Sequence, residues 1–348
     1  MIAKLVRLIN RGDLPPRRAA GLLGRLPGYL FHRALGDGRS GRPFLITIEL
    51  TYRCNLSCPY CYLAGLPPVE ETVSEEEIDR LLADLPRPRP LVHLTGGEPF
   101  LRADLAAIVS RVRSRGCWTS VSTNGTLISS RAGDWLESGG PDRLTISLNG
   151  PEEIHDAVTS RPGAFAEAMA GIDRLGSWGM LNRVAVNCLL HPRNLPILSE
   201  FAVRLGRMGI TRVSFQHPMG PQLRSRPGEG GIGPGSAMDP GRVNGALDSL
   251  RRVAGEKRIK VRFIPELTPG EIARWYSEGY SRPCRYPYFA LRIDPRGRIY
   301  PCPGFPAPFG DIRLQALGGI WNGPAYRRFR RGLDTLPRPA ACRNCCKI

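Results

Sequence analysis

From residue 44 onward, short apolar and β-branched segments alternate with longer stretches of helical period, and this alternation constrains the fold most. Strands are predicted at 44–50, 91–95, 117–122, 143–148, 183–189 and 211–216, each bounded by turn formers. Helices are predicted between them near 74–85, 103–115, 129–138, 164–175 and 195–208, the first opened by a Ser74/Glu77 capping box. Short strands joined by helical crossovers must run parallel. Six such units imply an α/β fold, a partial (βα)6 TIM-like barrel, whose active site lies at the C-terminal ends of the strands.

Other segments flank this core, which runs over 44–218. Residues 1–43 form a basic amphipathic extension with apolar side chains at helical spacing: Ile2, Leu5, Leu8, Ile9, then Leu22, Leu23, Leu26 and Leu30. Residues 219–242 are dense in Gly and Pro and read as a loop or linker. Connecting helices and a strand at 259–264 occupy 243–280. Residues 281–348 hold "YFALRIDPRGRIYPC", a predicted hairpin turning on Asp-Pro-Arg-Gly, in a small C-terminal β-hairpin/helix domain. No run of about 18 apolar residues suggests a transmembrane helix. No apolar stretch of signal type precedes the first Arg residues, so a cytoplasmic location is expected.

The net charge of +18 gathers at the ends. Residues 1–43 carry nine Lys and Arg against two acids, and residues 281–348 carry thirteen against three. Two readings follow: an Arg-rich, well-solvated composition, or ends that face an anionic partner such as a phosphorylated substrate or a peripheral membrane surface. Nucleic acid is not expected, because no basic run is interleaved with stacking aromatics.

Ten cysteines at short spacings, without a signal segment, favour metal or catalytic use over a disulfide framework. Cys54, Cys58 and Cys61 stand in "CNLSCPYC", directly after the first predicted strand and therefore on the catalytic rim. Three ligands are one short of a structural zinc site, and no His stands close in sequence. Three thiolates can, however, hold three corners of a 4Fe–4S cube and leave the fourth iron open to chelate a methionine moiety.

With the aromatic Tyr60 before the last cysteine, this spacing resembles the radical S-adenosylmethionine (SAM) superfamily. Further segments follow in that family's order: "TGGEPFL" from Thr95, "VSTNGTLI" from Val121 and "ISLNGPEEIHDAVTSRPGAF" from Ile146. The resemblance implies a SAM-binding 4Fe–4S cluster on Cys54, Cys58 and Cys61. It implies cofactor contacts from Tyr60, from Gly96, Gly97, Glu98 and Pro99 at the methionine amino group, and from Ser122 on the third strand. Ser147 suits the ribose and Arg161 the methionine carboxylate. Asn187 is either a further ribose contact or a structural Asn at a strand end. The family often has Asp where this chain has Asn149, which removes an acid role there and leaves a hydrogen-bond role.

A second set, Cys284, Cys302, Cys342 and Cys345, by itself suits zinc or a closed 4Fe–4S cluster. Beside the first motif it resembles the twitch or truncated SPASM domain and implies an auxiliary 4Fe–4S cluster, with Cys346 able to replace Cys345. Cys117 and Cys188 lie in predicted strands, where a free Cys is usually a small buried hydrophobe. Cys188 is also a candidate hydrogen-atom donor. His217 in "FQHPMG" is a candidate substrate contact or a packing residue. The resemblance implies reductive cleavage of SAM to a 5′-deoxyadenosyl radical, with electrons from flavodoxin or ferredoxin, and hydrogen abstraction from substrate. Dehydrogenation or epimerisation of a small, anionic or lipid-linked, sugar-like metabolite is expected first, and maturation of a ribosomally synthesised peptide is the alternative.

Overall fold

The structure, a computed structural model, describes residues 23–24, 26–63, 66, 69, 72–83, 85, 87, 89–219, 238–277, 279–333 and 342–345. Residues 1–22, with most of the amphipathic extension, lie outside the described residues, as do 220–237 of the Gly/Pro-rich segment and Cys346.

Among the described residues, ten strands form one sheet in the order β10-β9-β8-β1-β2-β3-β4-β5-β6-β7. They are β1 (Leu45–Glu49), β2 (Leu91–Thr95), β3 (Trp118–Thr123), β4 (Arg143–Ser147), β5 (Val184–Leu189), β6 (Arg212–Gln216), β7 (Lys260–Ile264), β8 (Ala290–Ile293), β9 (Arg298–Tyr300) and β10 (Gly310–Asp311). The six expected strands are present and parallel, and β1 and β7 are not paired, so the barrel is partial. The stretch expected as a connector instead extends the barrel: β7 pairs parallel with β6 from Arg212↔Lys260 to Gln216↔Ile264. The expected hairpin, β8 and β9, also joins this sheet, since β8 runs parallel to β1 with Leu45 opposite Ala290.

Helices cover the apolar face. They are α1 (Leu26–Leu35), α2 (Glu75–Ala83), α3 (Leu105–Ser114), α4 (Glu152–Thr159), α5 (Ala164–Ser177), α6 (Leu198–Arg207), α7 (Pro240–Glu256), α8 (Pro269–Ser277), α9 (Leu317–Trp321) and α10 (Pro324–Gly332). The Ser74/Glu77 capping box forms: Ser74 N donates to Glu77 Oε2 at 2.9 Å and Glu77 N to Ser74 Oγ at 3.2 Å. The helix expected at 129–138 breaks into two single turns, Ile128–Arg131 and Trp135–Ser138, around Gly133, a poor helix former. In α1, Tyr29 packs edge-on against Tyr288 while Leu30, Phe31 and Leu35 are exposed. Among the described residues no helix is long and apolar enough to cross a membrane.

Strand alternation separates two faces. Ile46, Ile48, Val92, Leu94, Val121, Leu144, Ile146, Val186, Val213 and Phe215 enter the core beneath the helices. Thr47, Glu49, His93, Ser120, Ser122, Ser147, Asn187, Ser214 and Gln216 occupy the alternate positions, so the concave face is polar. A parallel sheet buried on both faces would be apolar throughout. This one is built to hold something polar.

Candidate active site

The three cysteines of the first loop are fastened by backbone pairing with the loop after β2. The β1–β2 ladder continues past both strands: Gly97 N donates to Thr51 O at 2.8 Å and Glu98 N to Arg53 O at 2.9 Å. The two loops approach so closely that a Cβ at Gly96 would run into the Thr51 carbonyl, and one at Gly97 into that of Arg53. Gly96 also has φ +142°, a conformation L side chains rarely adopt. The glycine pair therefore brings the second loop against the cysteine loop.

Glu98 then carries the connection to β3. Its carboxylate, fully buried, accepts from Phe100 N at 3.0 Å, Thr123 Oγ1 at 2.7 Å and Asn124 N at 2.8 Å. Pro99 starts the single 3-10 turn that Glu98 caps. Glu98 thus directs its side chain into the protein, and a methionine amino group would meet backbone here. Asn124 turns toward the cysteines, donating to Asn55 Oδ1 at 2.8 Å and to Cys54 Sγ at 3.9 Å. Asn55 Nδ2 donates to Thr126 Oγ1 at 2.8 Å.

The fourth-strand segment reaches the same loop through Asn149. Its Nδ2 donates to Tyr60 Oη at 2.9 Å, and its Oδ1 accepts from Leu189 N at 3.0 Å. A carboxylate would keep the second and could meet Tyr60 only by drawing its O–H away from Cys58. His155, on α4, accepts from Asn149 N at 3.1 Å, and Asn194 Nδ2 donates to Asn149 O at 2.8 Å. The hydrogen-bond role expected of Asn149 is therefore what the structure gives it.

On the concave face Ser147 of β4 stands opposite Asn187 of β5, so these two ribose candidates are neighbours. Ser122 Oγ lies 3.3 Å from His93 Nε2, while His93 Nδ1 meets Ser120 Oγ at 2.8 Å. Arg161 forms an ion pair with Glu167 at 2.6 Å, with the side chains 32 % and 42 % exposed. Such half-exposed pairs are worth little and exchange readily for another carboxylate.

The thiols lack activation of their own. Burial, together with Cys61 and Cys54, pushes the Cys58 thiol up to about 12, against a hydrogen bond from Tyr60. Burial also raises Cys54. At the second set, burial and the nearby Cys284 and Cys342 push Cys302 up to about 12, against backbone hydrogen bonds. Cys284 is buried in a small apolar cluster with Tyr286, Ala290 and Leu333, against which Cys302 packs. Among the described residues none of these cysteines forms a disulfide. Thiols held protonated become ligands when a metal centre displaces their protons. Among the described residues no three His, Cys, Asp or Glu side chains gather around a single ion. The donor sets, three soft sulfurs on one loop and four near the C-terminus, have the chemistry of iron–sulfur ligation.

Two expected substrate-facing residues are corrected. Cys188 is fully buried in the hydrophobic core, with burial raising its thiol pKa, because on β5 Asn187 takes the concave face and Cys188 the other. It cannot reach a substrate on that face. His217 is also fully buried; Nδ1 lies 2.7 Å from Tyr276 Oη and the ring packs against Trp275 and Tyr276. Its role is packing.

Sequence reasoning missed a buried ion pair on the concave face. Arg292 Nη1 of β8 donates to Glu49 Oε2 of β1 at 2.9 Å, with the side chains 8 % and 1 % exposed. Tyr62, next to Cys61, donates to Glu49 Oε1 at 2.9 Å. The Arg292 guanidinium lies over the Tyr300 ring at 4.0 Å, two residues from Cys302. A charged residue in each of the apolar strands "LITIE" and "ALRI" was the available signal.

Residues 48–195 match the radical SAM superfamily, and residues 284–346 match SPASM, an iron–sulfur cluster-binding domain. A PqqA peptide cyclase of Gluconobacter oxydans (strain 621H) is 27 % identical over 317 residues, 87 % of this chain and 82 % of that protein. An AdoMet-dependent heme synthase of Oleidesulfovibrio alaskensis is 34 % identical over 192 residues, 54 % of this chain and 49 % of that protein. Among solved structures, Streptococcus suis SuiB bound to S-adenosylmethionine shares the fold with TM-score 0.68 at 15 % identity, covering 94 % of this chain and 77 % of that one. The structure of anSMEcpe with AdoMet and the Cp18Cys peptide has TM-score 0.64 at 17 % identity, covering 85 % and 84 %.

Proposed function

We propose, for a chain that is a radical SAM enzyme with a C-terminal SPASM-type iron–sulfur domain, that its substrate is a peptide and its reaction a peptide maturation. Its cofactors are 4Fe–4S clusters and S-adenosylmethionine. The observation that carries the peptide reading is the peptide cyclase relative, whose similarity runs through both the barrel and the C-terminal region. This ranks the alternative from the sequence above the small metabolite expected first. The small-metabolite reading keeps second place on the heme synthase relative, which spans only about half of this chain.

When bound, the cluster and S-adenosylmethionine supply an electron-driven C–S cleavage and so a hydrogen-abstracting radical. The chain's own residues do the rest. Cys54, Cys58 and Cys61 hold the cluster, on a loop kept rigid by Asn55, Asn124 and Thr126. Backbone at Gly96–Glu98 would meet the methionine end, while the neighbouring Ser147 and Asn187 would offer a hydroxyl and an amide to the ribose. Cys284, Cys302, Cys342 and Cys345 would hold the auxiliary cluster, which would supply a one-electron acceptor. The polar concave face between the two sites receives the substrate strand.

The test is anaerobic reconstitution, reduction by dithionite or flavodoxin, and incubation with S-adenosylmethionine and synthetic peptides encoded beside the gene. The expected result is 5′-deoxyadenosine with a peptide product that has lost two hydrogens. Cys58→Ala must give neither. Release of 5′-deoxyadenosine with every such peptide left unchanged would refute the peptide reading and leave the enzyme class standing.

A further inference from the structure

The C-terminal Cys342–Cys345 turn is seated on the barrel by one of the two residues between its cysteines, Asn344. Asn344 N donates to Tyr280 O at 2.7 Å, and Tyr280 N returns a bond to Asn344 Oδ1 at 2.6 Å. The amide nitrogen Nδ2 donates to Trp275 O, at the end of α8, at 2.9 Å. Three hydrogen bonds thus leave one side chain and its own backbone for a segment 64 to 69 residues earlier in the chain. Asn344 has φ +50°, the left-handed region that Asn and Gly tolerate and most residues avoid. The Arg343 stem lies over Gly279, where a Cβ would come within 2.5 Å of Arg343 Cδ.

The seat itself is rigid. Tyr280 Oη donates to Glu271 Oε1 at 2.5 Å, Arg282 Nε donates to the same oxygen at 2.9 Å, and Thr268 N donates to Glu271 Oε2 at 2.9 Å. Arg274 and Arg282 lie over the Tyr280 ring at 5.0 and 5.7 Å. The other side of α8 closes the β6 rim, since Trp275 Nε1 donates to Pro218 O at 3.0 Å and Tyr276 meets His217. One nine-residue helix therefore touches both the barrel rim and the C-terminal cysteine turn.

We propose that Asn344 is a positioning residue for the auxiliary cluster: by docking the Cys342–Cys345 turn on Trp275 and Tyr280, it brings these two thiolates to Cys284 and Cys302. The inference rests on reading Cys342 and Cys345 as auxiliary-cluster ligands. Without the dock, a two-cysteine turn separated from Cys284 by 57 residues has no reason to lie at one distance from it. Each thiolate would then pay loop-closure entropy when the cluster assembles.

The experiment counts iron and records the electron paramagnetic resonance (EPR) spectrum of the reduced, anaerobically reconstituted full chain. The parent should hold about eight irons and Asn344→Ala about four, with the auxiliary signal lost and that of the Cys54, Cys58 and Cys61 cluster kept. Asn344→Gly, which keeps the left-handed backbone and lacks the amide, should hold less auxiliary cluster than the parent. Parental iron and spectrum in either variant would overturn the inference, as would loss of both clusters together in Asn344→Ala, the mark of a general folding role. Cys302→Ala separates the underlying ligand reading. If it leaves the iron content unchanged, the auxiliary assignment fails, whatever Asn344 does.

Discussion

The Glu49–Arg292 pair makes a prediction whose asymmetry can be worked from the structure. At 2.9 Å and an effective dielectric near 20, the attraction is about 6 kcal/mol before desolvation is subtracted. Removing one partner of such a pair typically costs about 3–5 kcal/mol, because the other charge is left buried. The two survivors are not equivalent. Arg292 in Glu49→Gln cannot lose its proton, so the cost should stay near 3–5 kcal/mol at every pH near neutrality. Glu49 in Arg292→Met can take one up. Burial already raises its pKa above 4.5 with Arg292 and Tyr62 opposing, and losing Arg292 removes the larger opposing influence. Neutralising a carboxyl of unfolded pKa 4.5 costs about 3.4 kcal/mol at about pH 7 and about 0.7 kcal/mol at about pH 5. An acid whose folded pKa is raised contributes stability that is full below its unfolded pKa and is lost as pH rises through its folded value. Arg292→Met should therefore recover stability on acidification from about pH 7 to about pH 5, by at most about 2.7 kcal/mol. A remainder of about 1 kcal/mol, from the lost contact with Tyr300, should persist. Anaerobic urea unfolding of both variants and the parent, at matched pH and cluster content, measures this. If the Arg292→Met penalty does not change with pH, or Glu49→Gln changes equally, the account of the pair is wrong.

Three further outcomes are expected. Gly97→Ala should lose about half of the reconstituted iron, because its Cβ meets the Arg53 carbonyl and pushes the two loops of the first site apart; iron analysis with EPR reads it. Asn149→Asp removes the donor to Tyr60 Oη while keeping the acceptor for Leu189 N, and loss of about 1 kcal/mol should slow 5′-deoxyadenosine release roughly fivefold. Arg330→Met should lower the unfolding midpoint, with a loss of about 3 kcal/mol. The fully buried guanidinium bonds Pro287 O at 2.8 Å, Gly38 O at 3.2 Å and Asn322 Oδ1 at 3.1 Å, beneath the Trp321 ring at 4.1 Å.

What could be read in advance was local. Strand periodicity, the Ser74 cap and the Asp294–Gly297 turn each lie within a few residues, and each formed as expected. The place of β8 beside β1 pairs residues 245 positions apart and leaves no local mark. The Gly/Pro-rich run before β7 reads in sequence as an end to the barrel, although the register of β7 with β6 is unbroken over five residues. The same distinction holds at the site. The "TNG" of β3 is visible as a turn, but its target, Asn55, lies 69 residues away. Cys188 and Asn187 differ by one position, and only the face that each takes tells a core thiol from a concave-face amide. Substrate class was least legible, because most side chains on the concave face are ordinary Ser, Thr and Asn, and the ion pair there, Glu49–Arg292, is buried.

The sheet order explains why the C-terminal region can serve the first site at all. The loop bearing Cys54, Cys58 and Cys61 leaves β1, and β8 is β1's other neighbour, so Cys302, just beyond β9, is tied to the same strand. Tyr62, Glu49, Arg292 and Tyr300 join the two cysteine loops by direct contacts across that pairing. From the opposite edge, the chain passes from β7 through α8 to Cys284 and back to β8. Asn344 then docks the Cys342–Cys345 turn on this crossing. The chain thus returns from the seventh strand to the other neighbour of the first through a segment that holds Cys284, a candidate ligand. A cluster held by Cys284, Cys302, Cys342 and Cys345 would thus be tied to the same strand that carries the first cysteine loop.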